Sequence, residues 1–303
     1  MRRATRIVLG VAGLLVAWQV VHGARAALSE YRDLRPTRAP VVRPPDARTL
    51  GLVDVRFPGR DGTTIAGWYV PSRTGAALVL CTGTGTDRTD LVGRLRRFEG
   101  SGIGILLYDS PGFGESGGRV RLGAPERAAL SGALDFVAAR RDVDPRRIGI
   151  LAFSQGTVYA TTVAAHDPRV RALALEGAFG DFDEQVRAEY SRGGPFSSWG
   201  AELGSRLGGI DVQGPRPIDI IASIAPRPIV FVAGTADRTV PLGLSRALYD
   251  AARPPKQFWV IPGAAHGSYG TADATYVPRL RAFFDTALAA PRDSAPPVLA
   301  ATR

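Results

Sequence analysis

The sequence predicts an α/β fold with a mostly parallel sheet of about eight strands, helices on both faces of the sheet and a small lid insertion. Three observations support this prediction. Short apolar runs, typical of strands buried on both faces, alternate with amphipathic helical segments. A serine stands where one of these runs turns into a helix. With 303 residues and 45% hydrophobic content, the chain is long enough to bury a large core.

The first part of the chain, residues 1–28, has the organisation of a targeting segment. A basic start is followed by an apolar run at residues 7–21 and then by Ala24-Arg25-Ala26. This pattern is typical either of a signal peptide that is removed or of a signal anchor that stays in the membrane, and 18 uncharged residues between Arg6 and Arg25 are borderline for a span. Both alternatives predict an extracytoplasmic protein, secreted or anchored by a single N-terminal membrane segment, and we favour the anchor slightly.

Residues 29–50 are rich in proline and arginine, a composition that predicts a linker without fixed structure. We expect the folded domain to cover residues 51–290. Residues 291–303 are expected to form a disordered tail.

The folded domain opens with residues 52–57 and 64–70, which alternate apolar and polar side chains around a Gly59-Arg60-Asp61-Gly62 turn. This pattern predicts an antiparallel hairpin at a sheet edge. Six further apolar runs predict buried strands, at residues 77–81, 104–108, 148–152, 172–175, 229–233 and 257–261. The helical patterns lie at residues 90–98, 125–140, 155–165, 242–252 and 276–289.

One stretch interrupts this alternation of strands and helices. Residues 181–217 scatter aromatic and aliphatic side chains among glycines and charges, and the stretch is too long for an ordinary loop. We therefore predict a small lid over the carboxyl ends of the strands.

Ser154 is the candidate nucleophile, because it lies in an A-x-S-x-G pattern between a predicted strand and a predicted helix. A sharp strand-to-helix turn leaves no room for large side chains two residues before and after the serine. Ala152 and Gly156 are small enough to leave that space open. The turn would lift the hydroxyl above the sheet edge and would direct backbone N–H groups of the helix N-terminus towards it.

A serine nucleophile needs a base, and His266 is the candidate by elimination. Of the three histidines, His22 lies in the leader and His166 lies at the far end of the helix after the serine, whereas His266 follows the last predicted strand. Two acids could hold the imidazole. Asp237 is preferred because it lies in a tight loop between a glycine and a proline, and Glu176, at the end of a neighbouring strand, remains the rival.

The order Ser154, Asp237, His266 resembles the triad of the α/β-hydrolase superfamily, and the chain is similar to its BEM46-like, serine aminopeptidase-like and dienelactone-hydrolase-like members. The segment from Asp109 to Ser116 resembles the D-x-x-G-x-G-x-S turn of that family. The resemblance places Thr82-Gly83-Thr84-Gly85 in the position of the family's oxyanion loop, with Thr82 in place of the usual histidine. It implies an oxyanion hole formed by the backbone N–H groups of Thr84 and Gln155.

These residues predict a serine hydrolase that cleaves an acyl bond, by default a carboxylic ester of a small molecule, without a metal or cofactor. A peptidase or an acyltransferase with the same triad, or a catalytically idle membrane-tethered binding module, remains an alternative. A glycine-rich loop can also cradle phosphate, but no G-x-x-x-x-G-K-[ST] motif is present. The arginines are scattered without a basic stripe, so nucleic acid is not an expected partner.

Overall fold

The computed structural model describes residues 2–38, 40–85, 87–210 and 214–290. Within these residues a single sheet of eight strands runs in the order β1-β2-β4-β3-β5-β6-β7-β8. The strands are β1 Val53–Pro58, β2 Thr64–Val70, β3 Gly75–Cys81, β4 Gly104–Tyr108, β5 Val143–Phe153, β6 Val170–Glu176, β7 Ile229–Gly234 and β8 Lys256–Ile261. Strand β2 is antiparallel to both β1 and β4, and the other pairs are parallel. The predicted fold class is confirmed.

Helices cover both faces of the sheet and bury its alternating side chains. The α-helices of the described residues are α1 Arg2–Asp33, α2 Val92–Arg96, α3 Ala124–Ala138, α4 Gly156–His166, α5 Phe182–Tyr190, α6 Pro195–Gly208, α7 Pro217–Ile220, α8 Leu242–Ala251, α9 Tyr269–Ala272 and α10 Tyr276–Ala287. Val79 of β3 packs in one core with α3, α4 and α8. Its neighbour Leu80 packs in the other core with α2 and α10. Alternate strand residues therefore hold the two helical layers on opposite faces.

The N-terminal helix differs from the sequence prediction. Helix α1 runs without a break to Asp33, so residues 29–33, predicted as the start of an unstructured linker, are helical. At the other end of that predicted linker, Ala47 and Leu50 are buried in the core, so the lack of fixed structure is wrong there too. No proline occurs before Pro36, and the continued helix buries Ala26 and brings Leu34, directly after it, into a buried position, each only 4% exposed. The tail predicted for residues 291–303 lies outside the described residues.

Helix α1 also has the length and composition of a membrane span. Its stretch Thr5–Asp33 contains an 18-residue window of mean hydropathy 1.9, none of which is buried by the rest of the protein. In the part of the chain that the structure describes, this is one helix of the kind found in signal sequences and membrane anchors.

The segment 181–217, predicted as a lid, contains helices α5 and α6. Helix α6 lies parallel to the second half of α1, and glycines line the contact. A Cβ at Gly200 would lie 2.0 Å from the carbonyl oxygen of Gly23, and one at Gly204 would lie 2.1 Å from that of Ala27. The backbones of α1 and α6 are therefore in contact. A side chain larger than hydrogen at position 200 or 204 would prevent this contact.

We expect Gly156→Ala to destabilise the fold, because the added Cβ would lie 2.5 Å from the carbonyl oxygen of Thr82 and 2.7 Å from that of Cys81. Backbone atoms cannot yield as a flexible side chain can, so urea denaturation should show a loss of about 1–3 kcal/mol in the free energy of unfolding. Gly93→Ala is the matched control, because a Cβ there meets nothing within 4 Å on helix α2. It should be neutral or slightly stabilising. Equal losses in the two variants would contradict the packing argument.

Candidate active site

Ser154 lies in a strained turn between β5, which ends at Phe153, and α4, which begins at Gly156. Its φ is +53°, a left-handed conformation that is unfavourable for a residue with a Cβ. The backbone is held on both sides. The N–H of Ser154 donates to the Glu176 carbonyl at 2.8 Å, and its own carbonyl accepts from the N–H and the hydroxyl of Thr157 at 2.9 and 2.7 Å. The turn therefore has the geometry predicted from the sequence around Ser154.

His266 and Asp237 form a direct pair. Nδ1 of His266 lies 2.7 Å from one carboxylate oxygen of Asp237. The other oxygen accepts the backbone N–H groups of Thr239 at 3.0 Å and Val240 at 2.8 Å. Since a carboxylate only accepts hydrogen bonds, Nδ1 carries the proton and Nε2 presents a lone pair. The Asp237 side chain is 1% exposed and that of His266 is 21% exposed, so the acid is shielded while the imidazole reaches the surface of the site.

The imidazole lies beside the serine turn. Its ring packs against Phe153, the residue before Ser154, with 4.6 Å between ring centroids. It also packs against Gly177, where a Cβ would lie 2.9 Å from Cε1 of His266. The described residues provide no hydrogen bond to Ser154 Oγ, and catalytic hydrogen bonds in structures without substrate are often open in this way. The carboxyl ends of β5, β7 and β8 thus bring Ser154, Asp237 and His266 to one edge of the sheet.

The two residues assigned to the oxyanion hole flank the serine. Gln155 directly precedes the first residue of α4, so its N–H has no acceptor within the helix. The loop that carries Thr84 passes close to Ser154, because a Cβ at Gly83 would lie 3.0 Å from Ser154 Cβ. Thr84, Ser154 and Gln155 line one cavity of about 220 Å³. Residues from two loops therefore border the same cavity as Ser154.

The turn that begins at Asp109 holds the oxyanion loop. The Asp109 carboxylate accepts the backbone N–H of Arg88 at 2.8 Å and that of Glu115 at 2.9 Å, and it pairs with the Arg88 guanidinium. A Cβ at Gly114 would lie 2.3 Å from Asp109, which accounts for the glycine. Burial raises the pKa of Asp109, although the two N–H groups and Arg88 oppose that shift. Asp109 therefore fixes the position of the segment that begins at Arg88.

Glu176, the rival for the triad acid, has a different role. It is fully buried, and its carboxylate pairs with Arg94 at 2.9 Å, with Arg97 and with the hydroxyl of Tyr276. Burial alone would raise the pKa of Glu176, but the two arginines outweigh it, so the net shift is downwards. Arg94 also lies over the ring of Phe153, 3.9 Å from its centroid. Glu176 thus supports the serine turn from below, and Asp237 is the acid that contacts His266.

The N-terminal helix forms part of the cavity wall, which sequence reasoning missed. Helix α1 contributes Ser29, Glu30 and Asp33 to the same cavity as Ser154, and Leu34, the residue after the helix, also lines it. Glu30 accepts the hydroxyls of Tyr190 on α5 at 2.8 Å and Ser205 on α6 at 3.0 Å. The sequence did hold one signal, since acids at positions 30 and 33 share one face when the helix continues past the apolar run.

The opposite wall of the cavity comes from the lid helix α5, with Gln185 and Glu189. Burial raises the pKa of Glu189, although Gln185, which donates to its carboxylate at 2.7 Å, lowers it. Among the residues that the structure describes, no group of three or more His, Cys, Asp or Glu side chains is placed to hold a metal ion.

No family model matches the chain, but known proteins are similar to it in sequence and in fold. Rv2307c of Mycobacterium tuberculosis is 30% identical over 237 residues, which cover 76% of this chain and 78% of that protein. The polyketide transferase GrgF of a Penicillium species is 32% identical over 131 residues, or 42% of this chain and 45% of that protein. The crystal structure of GrgF, an α/β hydrolase, matches 79% of this chain and 99% of its own with a TM-score of 0.65 at 21% identity.

A second solved structure extends the similarity of fold. The Pyrococcus furiosus esterase Pf2001 matches 85% of this chain and 99% of its own with a TM-score of 0.72 at 16% identity. The 30% identity to Rv2307c, the order of the strands and the turn at Ser154 all support the same family. The chain therefore belongs to the α/β-hydrolase superfamily.

Proposed function

We propose that this protein is a serine hydrolase that cleaves a carboxylic ester through an acyl-enzyme. The observation that carries the proposal is the His266–Asp237 pair, 2.7 Å apart, directed to the turn where Ser154 has a φ of +53°. A serine in this strained position is aimed away from the sheet, and a neutral imidazole with a fixed tautomer is the base that such an alcohol needs.

In this mechanism His266 Nε2 accepts the proton of the Ser154 hydroxyl as Oγ attacks the acyl carbonyl carbon. The resulting oxyanion is held by the N–H groups of Gln155 and Thr84, which are stronger donors to it than to the neutral carbonyl. The imidazolium, stabilised by Asp237, then returns the proton to the departing alcohol. Water, activated by the same imidazole, hydrolyses the acyl-enzyme and regenerates the serine.

The choice of acyl acceptor distinguishes the alternatives. Pf2001 is an esterase, which supports the ester, whereas GrgF is a polyketide transferase, which supports transfer of the acyl group to another acceptor. A peptidase that recognises an amine would use acids in its pocket, and Glu189 is available there. An idle binding module is the alternative from another class. Assays of the purified full chain with acyl esters, with aminoacyl amides, and with esters plus an added nucleophile separate the esterase, the peptidase, the transferase and the idle binding module.

The proposal extends to location. We infer that α1 is retained as a membrane anchor and that the catalytic domain lies outside the cytoplasm. The support is that α1 continues as one helix past Ala26, the residue after which a signal peptidase would cut, and that its continuation lines the cavity at Ser154. Removal of residues 1–26 would also remove Gly23, which packs against α6.

We expect a fluorophosphonate probe to label Ser154, because the probe reacts with a serine that an adjacent base activates. Ser154→Ala should abolish the labelling and lower kcat by several orders of magnitude. Peptide mapping by mass spectrometry identifies the labelled residue. Ser110 serves as a comparison, because it is a buried serine elsewhere at the same sheet edge. Labelling of any serine other than Ser154 in the wild type would contradict the assignment.

Asp237→Asn should lower kcat by about 10³ to 10⁴, because the amide no longer holds His266 in the tautomer that leaves Nε2 unprotonated. The backbone N–H groups of Thr239 and Val240 can still bind the side-chain oxygen, so the fold should persist. Steady-state kinetics together with circular dichroism would measure the two effects. A folded Asp237→Asn protein with near-normal kcat would exclude Asp237 from the triad.

Glu176→Gln should show the opposite pattern, because Glu176 pairs with two buried arginines and does not contact His266. Loss of this charge should cost about 3–5 kcal/mol of folding stability, with a much smaller effect on kcat of the folded fraction. The pKa of Glu176 is lowered from 4.5 in the folded protein, so its stabilisation is present above pH 4.5 and is lost as the pH falls further. The free energies of unfolding of the wild type and of Glu176→Gln should therefore converge as the pH falls. A stable variant without activity would return Glu176 to the triad.

A further inference from the structure

The lid helix α6 exposes a row of large apolar side chains. Phe196 is 41% exposed, Trp199 63%, Leu203 55% and Leu207 62%. Their spacing of three or four residues places them on one face of the helix, while Ala201, Gly204 and Gly208 on the other face are buried. A continuous apolar row of this size is unusual on the surface of a soluble monomer and indicates a contact surface.

The position of this apolar row along α1 identifies what covers it. The two helices run in parallel, with Gly200 against Gly23, Gly204 against Ala27 and Gly208 against Leu34. Phe196 and Trp199 therefore lie level with the stretch of α1 around Gly23. Because the two backbones touch, any medium that surrounds α1 at this level also contacts α6.

The apolar length of α1 indicates where that medium ends. A hydrocarbon core of about 30 Å takes about 20 helical residues, so a span that begins at Ile7, after the basic start, ends near Ala26. The apolar side chains in this stretch face outwards, with Ile7 67% exposed and Leu14 73% exposed. Because Gly204 packs against Ala27, the outer edge of the span falls about midway along α6, level with Leu203. Phe196 and Trp199, level with Gly23, lie about one helical turn inside that edge. Arg25, near the outer end of the span, is exposed, as is common for arginines near the ends of membrane helices.

We propose that the apolar face of α6, formed by Phe196, Trp199, Leu203 and Leu207, lies in the interface of the bilayer that α1 spans. Helix α6 is then a bilayer-bound lid that joins the anchor to the site. Its Ser205 and the neighbouring Tyr190 both bind Glu30, which lines the cavity at Ser154. The cavity therefore lies beside the membrane surface. A hydrolase whose cavity lies beside the membrane would take its substrate from the bilayer. The substrate class that follows, an acyl ester that partitions into the bilayer, rests on the proposed hydrolase activity.

Depth-dependent quenching of tryptophan fluorescence tests the docking without reference to activity. The full chain is placed in nanodiscs with one copy per disc. The lipids of the disc carry bromine, which quenches tryptophan, at either a shallow or a deep position of their acyl chains. Trp18 and Trp199 are exposed, whereas Trp68 and Trp259 are buried and serve as a constant background. Trp199→Phe should remove mainly the quenching by shallow bromines. Trp18→Phe should remove mainly the quenching by deep bromines, because Trp18 lies roughly 12 Å inside the outer edge of the span.

Two results would overturn the proposal. If Trp18 is quenched and Trp199 is not, α1 spans the bilayer but α6 does not lie on it. If neither is quenched, the chain does not enter the bilayer through α1. In the first case, protection of Trp199 from aqueous iodide only at several copies per disc would assign the apolar face to a second copy of the chain.

The substrate step has its own test. Trp199→Glu combined with Leu203→Glu should lower turnover of a long-chain nitrophenyl ester held in vesicles several-fold, and should leave turnover of soluble nitrophenyl acetate unchanged. Val53→Glu, an exposed change on β1 at 49% exposure, is the matched control and should affect neither substrate. An equal loss on both substrates would place the effect in the site itself. Wild type that is inactive on both esters while Trp199 is still quenched would contradict the hydrolase and leave the docking intact.

Discussion

The strained backbone at Ser154 is the constraint on which the site depends. A φ of +53° in a residue with a Cβ persists only when the surrounding structure holds it. Here the Ser154 N–H donates to the Glu176 carbonyl and the Ser154 carbonyl accepts from Thr157, which fixes both sides of the turn. The backbones of β3 and α4 approach so closely that only glycine fits at position 156. The position of the Ser154 backbone is therefore set by the sheet, and the loops after β7 and β8 bring Asp237 and His266 to the same edge.

Buried arginine–carboxylate pairs fix other segments near this edge from below. Arg88 and Asp109 hold the segment after the glycine-rich loop, and Arg94 and Arg97 hold Glu176 under the serine turn. Each pair connects segments that are distant in sequence, so the loss of one partner would leave a charge in the interior. Charged groups here have a structural role close to the catalytic edge, and Asp237 is the acid that faces the imidazole.

The N-terminal helix connects a long exposed apolar stretch to this site. It carries an apolar stretch long enough to span a bilayer, packs its next turns against α6 through glycines, and ends with side chains in the cavity. In our proposal the anchor, the lid and the catalytic edge form one continuous structure. In this proposal the N-terminal helix both anchors the chain and forms part of the cavity wall at Ser154.

The amino-acid sequence alone determined the alternation of strands and helices, the serine turn and the order of Ser154, Asp237 and His266, because strand periodicity and turn glycines are local properties. It did not determine which acid meets the imidazole, since Asp237 and Glu176 both end neighbouring strands. With 38 basic residues scattered through the chain, nothing local marked Arg94 and Arg97 as partners of Glu176. The path of residues 29–33 was also undetermined, because their polar composition suits a linker as well as a helix. Only the tertiary structure decided these points, since each depends on contacts between segments far apart in sequence, where burial and packing outweigh local preference.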